Sequence, residues 1–171
     1  MIRQVHHNAA WTFFHGPRSV HASGKTFIGY GGRTALWCSS FDHTSGKFGR
    51  KLLMSTSTND HDVVAVGLRK DGCVICAYSR HNDDYMRVRV GSTPHDVTSL
   101  GDELIVATGT CTYPHLFHLT AEGSVEHGRW YLFYREWSLN GRGGRVFVYS
   151  DDGGATWSDQ QTFVWREGHR P

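Results

Sequence analysis

Two histidines stand at the ends of neighbouring predicted strands. His61 directly precedes an apolar run at 63–67, and His81 follows a second run at 73–78. The entry to one strand and the exit from the next lie at the same edge of a sheet, so the two side chains are expected to lie close together. Histidine titrates near neutral pH and can act as a general acid or a general base. A single histidine at a strand end is commonly structural, so the functional reading depends on the residues around the pair.

Tyr113 and Arg135 add a second proton-transfer group and a permanent positive charge. Tyr113 precedes Pro114, and a residue before proline is expected to be extended. Arg135 comes directly after an apolar strand, at about the place that Arg80 occupies after an earlier one. If the two strands are equivalent, Arg135 lies near His81.

Three segments of similar layout must position these residues. Each has a turn glycine, then a strand that ends in tyrosine, then a second strand, and they recur about every 50 residues (24–30, 72–78 and 128–134). The predicted strands are 26–30, 35–40, 63–67, 73–78, 85–90, 130–134 and 146–150. No window shows sustained helical periodicity with caps. Short strands at this period are typical of propeller blades.

The most specific motif is the stretch Ser150–Trp157, which reads S-x-D-x-G-x-T-W. Asp152 can accept hydrogen bonds from amides of its own turn, and Gly154 can take a positive φ. Thr156 and Trp157 are predicted to begin the next strand. The alternative is an ordinary Asp-Gly-Gly hairpin.

This motif resembles the Asp box of sialidases and other BNR-repeat β-propellers. The resemblance implies an all-β fold in which about three blades are present, whereas propellers close with roughly four to eight. Residues 1–171 are therefore predicted to be the N-terminal part of a single, longer β-propeller domain. The alternative is a small free-standing β-domain.

The chain as a whole resembles a narrower group, the BNR-repeat polysaccharide lyases, seven-bladed propellers that include the ulvan lyases. The resemblance runs through 10–12, 17–19, 60–61, 80–82, 112–114, 134–135 and the Asp box. There are two departures: Asn59 stands where an acidic residue is common, and Glu122–His127 looks like a short insertion. Both leave the substrate open.

The resemblance implies β-elimination from a uronic-acid-containing, ulvan-like polysaccharide. It implies four catalytic residues, His61, His81, Tyr113 and Arg135, and we add three substrate-binding residues, Arg18, Arg80 and Asn82. Arg135 would offset the carboxylate charge, His61 and Tyr113 would transfer protons, and His81 would contact a carboxylate or hydroxyl. The sequence leaves open which group is the base and which the acid. No metal and no cofactor is required, and a structural metal ion in a longer protein stays open.

Two other functions remain open. Pro17–Val20 is similar to the Arg-Ile-Pro region of sialidases, with Arg18 as a carboxylate-binding arginine. A sialidase-like hydrolase needs three such arginines, and only Arg18 has the context. The second alternative is a non-catalytic carbohydrate-binding propeller.

The resemblance implies an anionic polysaccharide as the partner, and composition argues against two other classes of partner. The net charge is only +2, which predicts no nucleic-acid partner. No apolar run reaches the ~18 residues of a membrane span, which predicts no membrane partner. A secreted or periplasmic location is expected for the full-length protein.

The four cysteines, at 38, 73, 76 and 111, are predicted to be buried free thiols. Cys73 and Cys76 have C-x-x-C spacing but lie in a predicted strand, where they would point to opposite faces. His115 and His118 fail as a metal pair for the same reason.

Overall fold

The chain forms antiparallel strands along most of its length. The computed structural model describes residue 9 and residues 18–57, 59–137 and 143–166. Within these ranges the helical structure is one turn of 3-10 helix, Val97–Ser99, and no helix there is long and apolar enough to cross a membrane. The strands are β1 (Ser19–Ala22), β2 (Lys25–Gly31), β3 (Ala35–Asp42), β4 (Lys47–Phe48), β5 (Leu52–Thr56), β6 (Val63–Leu68), β7 (Cys73–Ser79), β8 (Asp83–Pro94), β9 (Leu104–Ser124), β10 (Gly128–Trp137), β11 (Gly143–Ser150) and β12 (Gln161–Arg166).

The strands form three blades. In the first blade, β1, β2 and β3 are successive neighbours, and β4 and β5 both pair with β3. The second blade is β6, β7, β8 and the first part of β9, and the third is the second part of β9 with β10, β11 and β12. β6 contacts β1 and β2 on one side and β9 on the other, so the blades lie side by side. This is the β-propeller architecture that the repeats predict, with about three blades present.

All seven predicted strands are confirmed, because each lies within an observed strand (β2, β3, β6, β7, β8, β10 and β11). The central strand β7 is buried at every position. Val74 and Tyr78 pack towards the first blade, while Ile75 and Ala77 pack towards the third. Successive side chains of a strand point to opposite faces, so an inner blade needs apolar residues at consecutive positions.

The prediction for the cysteines is also confirmed. All four are buried and none is in a disulfide. Cys38 and Cys76 lie in the core between the first two blades, with their Sγ atoms 3.6 Å apart. Burial and the neighbouring sulfur both raise the pKa of the Cys76 thiol, with the hydrogen bond to Cys38 as the larger cause.

The Asp-box turn is built around one carboxylate. Asp152 Oδ1 accepts the amides of Ala155 and Thr156 at 3.0 and 2.9 Å. Gly154 has φ +96°, and a Cβ there would lie 2.8 Å from a methyl of Ile75. The indole of Trp157 donates to Gly154 O at 3.1 Å and packs against the core between the second and third blades.

One prediction about this turn is wrong. Thr156 and Trp157 do not begin a strand, and β12 starts only at Gln161. The amide and the hydroxyl of Thr156 both donate hydrogen bonds to the carboxylate of Asp152, so they are not available to pair with a neighbouring strand. The chain returns to β11 at Ser158, whose amide donates to Tyr149 O at 2.8 Å.

The third blade has one face that no described element covers. In β10, alternate residues are buried against the second blade, while those between them face outwards. The outward residues line an open groove of about 720 Å³, which we call the aromatic face: Phe117, Leu119, Tyr131, Phe133, Phe147 and Phe163, with His115 and Arg145. Phe163 is 63% exposed and Phe117 52%.

Candidate functional site

The two predicted histidines stack on each other at one end of the second blade. Val63 pairs with Ser79, so the residues just before β6 and just after β7 lie at the same edge. The rings of His61 and His81 are 4.4 Å apart between centroids and nearly parallel, at 24°. The backbone amide of His61 donates a hydrogen bond to the side chain of Asn59 at 2.9 Å, and the backbone amide of His81 donates one to the side chain of Asp62.

Tyr113 reaches the histidine pair from β9. Its hydroxyl is hydrogen-bonded to Nδ1 of His61, and its ring centroid is 6.4 Å from that of His81. The other ring nitrogen of His61, Nε2, lies 3.6 Å from the carboxylate of Asp60. A carboxylate on that side favours a proton on Nε2, which leaves Nδ1 to accept from the tyrosine hydroxyl.

The prediction that Tyr113 is extended is wrong, since its φ is +59°. The register between β9 and β10 shifts between Phe133 and Arg135, so an irregularity of the bulge type lies at Tyr113 and Pro114. Proline has no amide to donate and is tolerated in a sheet at bulges. A bulge redirects a side chain, here turning Tyr113 towards His61.

Arg135 lies over the ring of Tyr113, with Cζ 4.9 Å from the ring centroid. Its Nη2 donates to Asn82 Oδ1 at 2.6 Å and to Thr112 Oγ1 at 3.1 Å. Asn82 directly follows His81, so the repeat argument correctly places Arg135 beside the histidine pair.

Asn82 is a positioning element for this group. It takes a left-handed conformation, with φ +53°, which asparagine tolerates better than most residues. Its amide donates to Thr112 Oγ1 at 2.8 Å. Asn82 thus ties the end of β7 to the strand that carries Tyr113.

Arg80 forms an ion pair with a buried carboxylate, that of Asp83. Its Nε lies 3.1 Å from Asp83 Oδ2, and Arg87 contacts the same oxygen at 2.6 Å. Burial acts to raise the pKa of Asp83, but hydrogen bonds from Arg87 and Arg80 outweigh it and hold the pKa well below its usual range. Arg80 also lines a polar pocket of about 450 Å³ that includes His81, Asn82 and Asp62.

Arg18 lies beside the chain segment that carries Tyr113, because its Nη1 donates to the carbonyl of Pro114. Burial lowers the pKa of Arg18 to about 10. Its Nε and Nη2 atoms are buried and have no hydrogen-bond partner in the described part of the chain. The motif segment 10–12 and Pro17 lie outside the described residues.

The acid–base properties of the site follow from burial and from the arginines. Burial, then the nearby His61 and Arg135, lowers the pKa of His81, which favours its neutral form. Burial raises the pKa of Tyr113, while Arg135 and Arg145 oppose that rise. Burial raises the pKa of Asp62 to about 6, despite the hydrogen bond from the His81 amide.

Two residues of the site were missed at the sequence level, Asp62 and Arg145. Arg145 is the direct partner of Arg135 in the β10–β11 pairing, and its Cζ lies 6.0 Å from the ring centroid of Tyr113. The signal was a charged residue in an otherwise apolar strand. Arg145 reaches the site only because β10 and β11 pair with Arg135 opposite Arg145, and the sequence alone does not show this register. In the residues described, no three His, Cys, Asp or Glu side chains are close enough to hold a metal ion.

Comparisons with known proteins agree with this architecture. A family model described as BNR repeat-containing family member matches residues 25–164. No curated protein matches the chain.

Three solved structures of similar fold are polysaccharide lyases. A PL25 ulvan lyase bound to -[GlcA(1-4)Rha3S]- has a TM-score of 0.74 and 17% identity, covering 91% of this chain and 40% of the lyase. The same values hold for a second structure of a PL25 ulvan lyase. The polysaccharide lyase Uly1 has a TM-score of 0.62 and 18% identity, covering 96% of this chain and 46% of that one. The chain thus spans less than half the length of these lyases, and it belongs to the BNR repeat-containing family.

Proposed function

We propose that this chain carries the catalytic site of a polysaccharide lyase that cleaves a uronic-acid-containing, ulvan-like polysaccharide by β-elimination. The observation that carries the proposal is the hydrogen bond between His61 and Tyr113 beneath the guanidinium of Arg135. A pair that can exchange a proton then stands next to a fixed positive charge. The fold shared with polysaccharide lyases supports the same reaction class.

The reaction begins with removal of the proton on C5 of the uronate, next to the carboxylate. The carbanion that forms is too high in energy unless the carboxylate charge is offset. Arg135 suits this role because its guanidinium group is permanently charged and makes charge-assisted hydrogen bonds to a carboxylate. Electrostatic stabilisation of this kind is often the largest single contribution to rate.

The Tyr113–His61 pair would move the protons. It accepts the proton from C5, and the two electrons left on C5 form the C4–C5 double bond. The C4–O4 bond breaks at the same time, its two electrons leave with O4, and the Tyr113–His61 pair returns a proton to O4. The pair therefore ends each cycle in its starting protonation state. The contact of Asp60 with His61 Nε2 supports His61 as the acceptor of the tyrosine proton.

His81, Asn82 and Arg80 would bind the sugar next to the reacting ring. His81 can donate a hydrogen bond from its ring to a carboxylate or hydroxyl. Asn82 and Arg80 line the polar pocket beside it. Arg18 would act through the Pro114 carbonyl, supporting the segment that holds Tyr113.

The test is incubation of the protein with a panel of uronate polysaccharides while ultraviolet absorbance is followed. A lyase creates an unsaturated uronate that absorbs ultraviolet light. A sialidase-like hydrolase or a carbohydrate-binding propeller creates no such product. We expect absorbance to rise with at least one polymer and to be lost in His61→Ala. New reducing ends without the absorbance would indicate the hydrolase, and binding without either would indicate the binding propeller.

A further inference from the structure

Arg145 forms with Arg135 a pair of like charges that the sheet holds together. The two residues are direct partners in the antiparallel pairing of β10 with β11. Direct partners project to the same face, and like charges placed in this way destabilise a sheet. Both guanidinium groups face the ring of Tyr113, at 4.9 and 6.0 Å from its centroid.

The rest of the described chain does not neutralise Arg145. None of the ion pairs formed among the described residues includes it. Arg145 is half-buried, and burial lowers its pKa. A cation that is partly desolvated beside a second cation is unfavourable unless an anion joins the pair.

We propose that Arg145 and Arg135 together bind one carboxylate, that of the uronate whose C5 proton is removed. The identity of this anion rests on the proposed function. A carboxylate can accept about four hydrogen bonds, and guanidinium groups on two neighbouring strands supply more donors than Arg135 alone, whose Nη2 already donates to Asn82 and Thr112. Because Tyr113 faces both guanidinium groups, a carboxylate between them would lie next to the proton-transfer pair.

Titration with glucuronate, with glucose as the neutral analogue, tests this role without turnover. We expect the parent to prefer glucuronate and Arg145→Gln to bind it about tenfold more weakly, the loss typical of one charged hydrogen bond. Glucose binding should not change. Arg145→Lys should recover part of the loss, because it keeps the charge but not the guanidinium group.

The matched control is Arg50→Gln, which removes an exposed arginine outside the strands of the first blade. It should leave the glucuronate preference intact. If Arg50→Gln and Arg145→Gln lose equal glucuronate affinity, the effect comes from the net charge of the protein and not from Arg145, and the proposal is overturned. Unchanged glucuronate affinity in Arg145→Gln would overturn it as well.

Thermal melting separates this role from a structural one. If Arg145 serves the ligand, Arg145→Gln relieves repulsion with Arg135, and the melting temperature should stay level or rise. A lower melting temperature with unchanged affinity would show a structural residue and overturn the proposal. If Arg145→Gln loses glucuronate binding but the parent forms no unsaturated product, the carboxylate site stands and the lyase proposal fails.

Discussion

At the scale of single residues, Tyr113 is held in a backbone conformation that is unfavourable for a tyrosine. Its φ of +59° lies in the left-handed region, which costs a non-glycine residue about 1–3 kcal/mol. This conformation places the Tyr113 hydroxyl in a hydrogen bond with His61 and its ring under the guanidinium of Arg135. Strain of this kind clusters where function fixes the geometry.

The first prediction concerns the hydrogen-bonded pair. His61→Ala and Tyr113→Phe should each lower turnover by ~10²–10⁴-fold, the usual contribution of a proton-transfer group. The double variant should lose little more than either single one, since groups that act as a unit are not additive. Steady-state kinetics on the cleaved polymer would show this. Losses that multiply in the double variant would mean that the two residues work independently.

Arg135→Lys keeps the positive charge but loses the planar guanidinium group and its several directed hydrogen-bond donors. If Arg135 stabilises charge that develops in the transition state, turnover should fall by about 10²-fold or more. The KM should change less than turnover. Arg129→Lys is the control, because Arg129 lies on the same strand but pairs with Asp151, 2.7 Å away. Full activity of Arg135→Lys on every polymer that the parent cleaves would make Arg135 structural.

Asp62 gives a prediction about pH. Its pKa is about 6 in the folded protein against an ordinary 3.8, because the carboxyl is buried. The folded protein therefore holds this proton more tightly than the unfolded chain, so stability falls as pH rises from about 4 to about 6. Asp62→Asn removes the free-energy cost of burying a charged carboxylate, and its side-chain oxygen can still accept a hydrogen bond from the His81 amide. It should raise the free energy of unfolding by about 2–3 kcal/mol at pH 8 and by much less at pH 4. Denaturant titrations at both pH values measure this, and an equal gain at both would contradict it.

At the scale of elements, the sequence predicts the six strands of the repeat and β6, but it does not predict β1, β4, β5 or β9. β2, β7 and β10 share a turn glycine and a closing tyrosine, so their pattern is local. β9 contains Gly109 and Pro114, which are typical strand breakers, yet it runs from Leu104 to Ser124 because it pairs with β8 and then with β10. Such pairing is not visible in one stretch of sequence.

The same distinction applies to the site. His61, His81 and Arg135 could be placed because strand ends and repeat positions are local features. The bulge at Tyr113 and the opposition of Arg145 to Arg135 depend on register between strands. Register is set by side-chain packing across the sheet, which the sequence alone does not display.

Trp157 tests the Asp-box turn as an element. Its ring is half-buried against the core between the second and third blades, and its indole donates to Gly154 O. Trp157→Ala should lower the free energy of unfolding by about 2–4 kcal/mol, somewhat less than for a fully buried ring. The glucuronate affinity should not change, because the turn does not contact the site residues. Loss of affinity at temperatures where the variant stays folded would contradict this separation.

At the scale of the whole molecule, the third blade has an exposed apolar face. The corresponding apolar faces of the first two blades are buried against the neighbouring blade. The inner faces of the blades form two continuous cores, whereas Phe117, Leu119 and Phe163 remain exposed. We propose that residues 1–171 are the N-terminal part of a longer propeller and that a further blade covers Phe117, Leu119 and Phe163. The chain spans 40% to 46% of the lyases of similar fold, which supports the proposal.

The last prediction follows from this face. As a 171-residue polypeptide, the chain should self-associate at micromolar concentration, because exposed apolar patches of this kind drive association. Phe117→Ser combined with Phe163→Ser should shift the sedimentation coefficient towards the monomer. Val125→Ser is the matched control, since Val125 is 97% exposed but lies outside the aromatic face. A longer protein that supplies the next blade should be monomeric without any substitution. If the 171-residue polypeptide is itself monomeric and melts in one sharp transition, the aromatic face is an ordinary surface and the longer-propeller proposal loses its physical support.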